Sequence, residues 1–383
     1  MKNTTRGKRP LVADKRSGST SAKKPTTPRK RPVKRRKPTP PRRGGIIGFF
    51  LMILRFFVRL FWAVTWRGTL AVVVVIGLWV GYTATTLPDL EELLDGRARG
   101  SVTLKDYQGA TFAWRGDQFG GVVTAQTVSP NLLHAIVATE DKRFYKHIGV
   151  SPRGIASAIR INLREGRGPL DGHGGSTITQ QVAKLLCLGT PYDPTTGQTE
   201  KEYEQECRRG TLQRKIYEAV YAMAMEAKYS KEGILTIYMN RAFLGAGARG
   251  FEAASQRYFG KSAASVTPAE AAMLAGLLVA PTRFAPTNDL ARSQNRAATI
   301  IRLMNEQGYL TNAEAAEAQA HPAELSQAAA ARAGGYFADW VMSSGPEFFT
   351  RKTTEDVIIR TTLDQRIQRA AEEGLRTIFE DKV

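Results

Sequence analysis

The run Leu132-Leu133-His134-Ala135-Ile136-Val137-Ala138-Thr139-Glu140-Asp141-Lys142-Arg143-Phe144 decides how the rest of this 383-residue chain is read. Leu133, Ile136, Val137 and Phe144 write the apolar face of a helix, and the position four residues after Ile136 is Glu140. A carboxylate stands where a hydrophobe belongs. Partial burial there raises a carboxyl pKa and makes a competent general base; the bland alternative is a glutamate at a frayed helix end facing water.

The same helical pattern continues from Asn131 to about Gln319, rich in Ala, Leu, Met and Glu. Gly and Pro are confined to joints such as Gly166-Arg167-Gly168-Pro169 and Ala280-Pro281-Thr282. Within it, Gly172-His173-Gly174-Gly175-Ser176 runs into a helix whose Thr177 and Gln180 have capping-box spacing. Free N–H groups at that helix start, with Gln181 and Lys184 one turn apart, suit a phosphate or pyrophosphate group. A flexible loop before an ordinary capped helix is the competing reading. Further on, Leu212, Ile216, Ala219 and Met223 are expected to form a buried stripe. Arg214, Lys215 and Glu218 then fall on another face, where such a cluster is most often a solvated set of salt bridges.

Charge is distributed very unevenly. Of the formal +20, residues 1–45 carry 17 Lys and Arg against the single acid Asp14, and Arg55, Arg59 and Arg67 account for nearly all the remainder. That Pro-, Ser- and Thr-rich tail is expected to be disordered. No aromatic interleaves its basic residues and the region beyond has no basic excess, which disfavours nucleic acid as a partner and favours anionic lipid.

From Thr69 to Leu87 the chain has no charged residue, close to the ~20 residues that cross a bilayer core. Residues 69–87 are therefore read as a transmembrane helix. Residues 46–68 are equally apolar but carry Arg55 and Arg59 on one face, and are read as an amphipathic interfacial helix. The positive-inside rule puts the N-terminus in the cytoplasm and everything after Leu87 outside. A stalk and a small β-hairpin near the membrane are expected over 88–125, from Val102, Leu104, Phe112 and Trp114 alternating around Gln108-Gly109.

Cys187 and Cys207 bracket Leu188–Glu206 and lie in an oxidising compartment under this topology, which makes them a candidate disulfide. Neither they nor the four histidines show metal-site spacing, which argues against a metal-centred hydrolase.

Taken together, five ordered segments resemble the glycosyltransferase module of class A penicillin-binding proteins and monofunctional peptidoglycan glycosyltransferases. Glu140-Asp141-Lys142-Arg143-Phe144-Tyr145-Lys146-His147-Ile148-Gly149 is like that family's E-D-x-x-F-x-x-H-x-G, and Gly175-Ser176-Thr177-Ile178-Thr179-Gln180-Gln181-Val182-Ala183-Lys184 like G-S-T-I-T-Q-Q-x-x-K, with Leu185 where Asn is usual. Arg214-Lys215-Ile216-Tyr217-Glu218 is similar to R-K-x-x-E. Lys231 to Asn240 follows K-x-x-I-L-E-x-Y-L-N except that Thr236 replaces a Glu, and Gly250 to Lys261 is close to G-x-x-x-A-A-x-x-Y-F-G-K. Five motifs in order over some 200 residues leave little room for chance.

The resemblance implies a mostly α, lysozyme-like glycosyltransferase domain over 126–320. It implies Glu140 and Glu218 as catalytic residues. Asp141, Phe144, His147, Gly175, Ser176, Thr177, Thr179, Gln180, Gln181, Lys184, Arg214, Lys215 and Asn240 are implied as substrate-binding. The implied substrates are lipid II and a growing glycan strand, with other cell-wall synthesis proteins as possible partners and a divalent cation, Mg or Mn, as a possible cofactor. The activity expected is inverting polymerisation with release of undecaprenyl pyrophosphate, at the outer face of the inner membrane. A lysozyme-like hydrolase and an inactive membrane scaffold are the alternatives. Thr361-Thr362-Leu363-Asp364-Gln365 resembles the start of a transpeptidase domain, so 321–383 is read as a linker and a truncated beginning of one. No S-x-x-K, S-x-N or K-T-G follows, and no acylation by β-lactams is expected.

Overall fold

The computed structural model describes residues 46–94, 102–115, 118–119, 121–168, 175–190, 192–207, 209–326, 329, 335–346 and 357–380. The basic tail 1–45 and Gly172-His173-Gly174 lie outside the described residues. Contacts divide the chain into Met1–Trp66 and Arg67–Val383. In the first unit the described part is helical and its large apolar side chains, among them Phe50, Phe57 and Trp62, are exposed.

That segment belongs to helix α1, Ile46–Thr86, which is 41 residues without a break. The two helices expected over 46–68 and 69–87 are thus one. No proline interrupts the run, and Gly68, at the expected joint, stays helical at a cost of about 1 kcal/mol relative to Ala. At 1.5 Å per residue α1 is roughly 60 Å long, about twice a bilayer core. It is the helix among the described residues long and apolar enough to cross a membrane.

The second unit is mostly helical. After α2 (Leu90–Leu94) come α3 (Pro130–Glu140), α4 (Pro152–Arg164), α5 (Ile178–Leu185), α6 (Glu200–Cys207), α7 (Leu212–Lys228) and α8 (Lys231–Arg241). They are followed by α9 (Phe251–Phe259), α10 (Pro268–Gly276), α11 (Pro281–Phe284), α12 (Leu290–Glu306) and α13 (Asn312–Ala320). Two helices sit at the centre of the core. In α8 every residue from Gly233 to Asn240 is buried, and α10 is buried from Ala271 to Gly276 and packs on α3 and α12. Burying side chains such as Ile234, Leu235 and Ile237 contributes about 1.5–3 kcal/mol each before chain entropy is charged against it.

Helix α7 is rotated from its expected setting. Leu212 and Ile216 are exposed, at 72% and 52%, whereas Glu218, Tyr221, Ala222 and Met225 form the buried row. The apolar pattern misled because α7 carries apolar residues on more than one face: beside the exposed row, Tyr217 stands edge-on to Trp79 of α1, ring centres 5.1 Å apart. The cost of turning Glu218 inward is met by Lys215, one turn earlier, which bonds it.

The expected hairpin forms from β1 (Val102–Lys105) and β2 (Thr111–Arg115), paired antiparallel with Leu104 opposite Ala113. Its turn is tied by Asp106, whose Oδ1 accepts from the N–H groups of Gln108 and Ala110. Two short strands, β3 (Gln118–Phe119) and β4 (Ala248–Arg249), pair in parallel elsewhere. Far along the chain, β5 (Val357–Arg360) adds parallel to β1, so the hairpin is part of a three-stranded sheet in the order β2-β1-β5. Val102, Leu104, Phe112, Ala338 and Leu363 share one small core under the helix Gly335–Ser344. The strand read as part of the opening of a further domain thus lies in one sheet with the hairpin 102–115. Local sequence gives no sign of a pairing between segments about 250 residues apart.

Candidate active site

Glu140 is the last residue of α3, half-buried, with Asp141 as the C-cap. Leu132, Ala135, Ile136, Val137 and Ala138 are the buried residues of that helix, so the carboxylate comes at the rim of a solid apolar face. Gln181 Nε2 donates to Glu140 Oε2 at 2.7 Å, and Gln181 Oε1 in turn accepts from Tyr238 Oη at 2.9 Å. Burial holds the Glu140 carboxyl above its ordinary pKa. The Gln181 bond and the positive charge of Arg296 pull it back, and the negative charge of Asp141 adds to the rise. Burial also pushes the Tyr238 phenol well above its usual range, which keeps it a donor to Gln181.

Asp141 turns away from Glu140 toward α5. Its Oδ2 accepts from Ile178 N at 3.2 Å and lies 2.7 Å from His147 Nε2. His147 Nδ1 accepts from Gly149 N, so the proton on Nε2 faces Asp141. Gly149 has φ +87°, and a Cβ there would lie 2.6 Å from the Ala222 carbonyl of α7. The turn after α3 is thereby pressed onto α7. Thr177 Oγ1 donates to Gly149 O at 2.5 Å, which fastens the same turn to the start of α5.

The α5 N-terminus is satisfied from within the protein. Thr177 and Gln180 form the full capping box, Asp141 accepts from Ile178 N, and Gln181 N continues the helix from Thr177 O. The expected row of free N–H groups is therefore largely occupied, with the Asp141 carboxylate at the positive helix end. Gly175, just ahead, passes so close to α4 that a Cβ would be 2.7 Å from Ile155 Cα.

Cationic groups gather beside this helix start. Lys215 Nζ donates to Ser176 Oγ at 2.6 Å and to Glu218 Oε1. Arg214 Nη1 donates to Arg209 O at 2.9 Å, while its Nη2 is buried and has no hydrogen-bond partner among the described residues. Lys184 is exposed in the last turn of α5, on the face that carries Gln181. Helix α5 therefore joins the two carboxylates: Glu140 through Gln181, and Glu218 through Ser176 and Lys215.

Several residues expected to bind substrate have other duties in the fold. Phe144 is fully buried, with Lys231 Nζ 4.4 Å from its ring centre. Thr179 is buried and donates to Glu226, which also bonds Lys231. Thr177 and Gln180 are spent on the cap. Asn240 is buried, its Nδ2 donating to Val123 O and Thr236 O and its Oδ1 accepting from Val123 N. Thr236, where a glutamate was expected, accepts from Ala125 N at 3.1 Å. The side chains near the surface of the site are thus Glu140, Ser176, Gln181, Lys184, Arg214 and Lys215, with Glu218 behind them. Sequence reading passed over Tyr238, which was visible inside the fourth motif, and Arg296, which no local pattern marks.

Among the described residues no group of three or more His, Cys, Asp or Glu side chains is placed to hold a metal ion. Nearby, Cys187 and Cys207 form a disulfide, Cα atoms 5.2 Å apart, that ties α6 to the end of α5.

A family model described as "Transglycosylase" matches residues 109–305. Penicillin-binding protein 1A of Aquifex aeolicus is 33% identical over 316 residues, 80% of this chain and 41% of that protein. Penicillin-binding protein 1A of Escherichia coli is 32% identical over 303 residues, 77% of this chain and 33% of that protein. A crystal structure of penicillin-binding protein 1A from Haemophilus influenzae aligns with 72% of this chain and 28% of that one, at 20% identity and a TM-score of 0.37. The chain spans less than half the length of these relatives. The matched span runs from the hairpin turn through α12 and holds every residue of the cluster around α5. With just over half its residues inside that model, the chain belongs to the transglycosylase family.

Proposed function

We propose that the chain polymerises lipid II into glycan strands, releasing undecaprenyl pyrophosphate, and that Glu140 is the base. The observation that carries this reading is a half-buried carboxylate with a raised pKa, held by Gln181 on the same short helix that begins beside Lys215 and Arg214.

In the reaction the 4-hydroxyl of an acceptor sugar attacks the anomeric carbon of the donor. The new C–O bond forms as the bond to pyrophosphate breaks, with inversion. Glu140 takes the hydroxyl proton, a role usually worth about 10²- to 10⁴-fold in rate. Gln181 fixes the carboxylate that must receive it. Lys184, Arg214 and Lys215 meet the charge growing on the leaving pyrophosphate. Among the described residues Arg214 Nη2 has no acceptor, which leaves that donor uncommitted within the protein. Glu218 holds Lys215 in place rather than touching the sugar.

A divalent cation fits this donor set poorly, because the carboxylate on this side, Glu218, is already bonded to Lys215. No step is assigned to a metal. Residues 46–86 supply the anchor, with the N-terminus in the cytoplasm and the helical domain on the outer face, where both lipid-linked substrates reside. Confinement of enzyme and substrates to one bilayer surface raises their effective concentration.

Labelled lipid II and the protein in detergent test the reading. Polymer is expected from the wild type, and a loss of about 10²- to 10⁴-fold from Glu140→Gln. The amide keeps an oxygen to accept from Gln181, so the charge is removed with little change of shape. Cleavage of preformed glycan without polymerisation would instead indicate a hydrolase.

A further inference from the structure

Away from the carboxylates, a cleft of about 410 Å³ opens between the β2-β1-β5 module and the helical domain. Its lining includes Phe112, Trp114 and Arg115 from β2, Arg257 from α9, and Asn288 and Leu325. The two arginines differ sharply. Arg115 is fully engaged, pairing with Asp339 at 2.7 Å and donating to the carbonyls of Trp114 and Gly335. Arg257 is half-buried, with its guanidinium carbon 4.0 Å from the Trp114 ring centre. Among the described residues it makes no hydrogen bond or ion pair, and its Nε is buried without an acceptor.

A desolvated cation without a carboxylate is costly, and such groups in native proteins call for an explanation. The ring face of Trp114 offsets part of that cost. Burial lowers the Arg257 pKa from its usual value, Tyr258 pulls it back, and the nearby positive charge of Arg115 adds to the lowering. A guanidinium held over an indole face can still present its two terminal N–H groups, which take a carboxylate in a bidentate grip.

We propose that this cleft binds the carboxylate of a short peptide, with Arg257 as the anchoring group. The volume falls within the range of small-ligand sites and exceeds what a bare oxyanion fills. Phe112, Leu290 and Leu325 offer an apolar wall, and Asn288, whose Nδ2 donates to Thr282 O, has its Oδ1 left to accept from a peptide N–H. The site is separate from the residues assigned to glycosyl transfer.

The test is titration of the whole chain in detergent with N-acetyl-alanyl-alanine, its C-terminal amide, and inorganic phosphate, followed by saturation-transfer NMR. Saturable binding of the free acid is expected, at least tenfold weaker for the amide and for Arg257→Met. Binding of phosphate alone, binding of acid and amide alike, or no binding at all would overturn the proposal. Thermal melting separates a ligand role from a structural one. Arg257→Met is expected to melt no lower than the wild type, since an unpaired charge is replaced by an apolar chain of similar length. A clearly lower melting temperature with undiminished peptide binding would make Arg257 a structural residue and sink the idea.

Discussion

Asn240 offers a sharp separation between binding substrate and holding the fold. Replacing it with alanine removes the acceptor for Val123 N and the donor to Val123 O, both in a buried setting. The third bond, to Thr236 O, is lost with less consequence, because Thr236 O can still take the backbone N–H of residue 240 within α8. Leaving a buried donor or acceptor unpaired costs about 1–3 kcal/mol. Two such groups therefore give a loss of roughly 2–5 kcal/mol, since some water entry is expected at segment 121–125. In a domain of this size 1 kcal/mol shifts the melting temperature by about 2–4 °C, so Asn240→Ala is expected to melt roughly 5–15 °C lower. Thr236→Val loses the single bond to Ala125 N and is expected to fall by about a third to a half as much. At a temperature where Asn240→Ala is still folded, KM for lipid II is expected within about twofold of the wild type. Differential scanning fluorimetry and a polymerisation assay read both quantities. An unchanged melting temperature with a KM raised tenfold or more would refute the structural assignment and restore Asn240 to the substrate site.

Three further outcomes follow from the same geometry. Because the folded-state pKa of Glu140 is raised, its contribution to stability is present below the unfolded pKa and fades as pH rises through the folded value. Glu140→Gln is accordingly expected to melt higher than the wild type near neutral pH and to lose that advantage in acid, while wild-type kcat/KM rises with pH through an apparent pKa above the ordinary ~4.3 of a glutamate; a pH-independent melting difference would contradict this. Cys187→Ser is expected to lower stability by about 3 kcal/mol, the loop-closure value for a loop of this length, and reduction of the wild type should reproduce it in a melting experiment. Gly149→Ala, which needs a left-handed backbone and drives a Cβ into the Ala222 carbonyl, is expected to yield little folded protein, and normal expression with a wild-type melt would count against the close contact of that turn with α7.

The site was legible in sequence to the extent that its residues lie in short contiguous motifs. Glu140 was marked by helical spacing, the capping box by Thr177 and Gln180, and the mainly helical architecture by Ala- and Leu-rich periodicity. What a motif does not carry is the direction in which each member points. Phe144, Thr179 and Asn240 have partners inside the protein, which is invisible until Lys231, Glu226 and Val123 are seen against them. Periodicity failed on α7 for a related reason: a helix with apolar residues on two faces leaves its rotation to be settled by neighbours, here α1 and the Lys215–Glu218 pair. The pairing of β5 with β1 is a long-range event, and no local propensity specifies it.

Helix α5 gives a reason for the amount of buried hydrogen bonding around the proposed base and its cationic neighbours. Eight residues long, it is too short to persist on its own. Its start is held by the capping box, by Asp141 on Ile178 N and by Thr177 on Gly149 O, and its end by the Cys187–Cys207 bond. Each restraint fixes the position of Gln181 against Glu140 and of Ser176 against Lys215. Loosening any of them would disturb base and leaving-group cradle together, because both are referenced to the same two turns of backbone. A substitution such as Asp141→Asn, which weakens the hold on Ile178 N and His147, is for that reason expected to lower kcat, and, because the Asp141 charge adds to the rise of the Glu140 pKa, to move the rise of kcat/KM with pH toward lower pH; a lowered kcat with the pH profile shifted upward would refute the assignment.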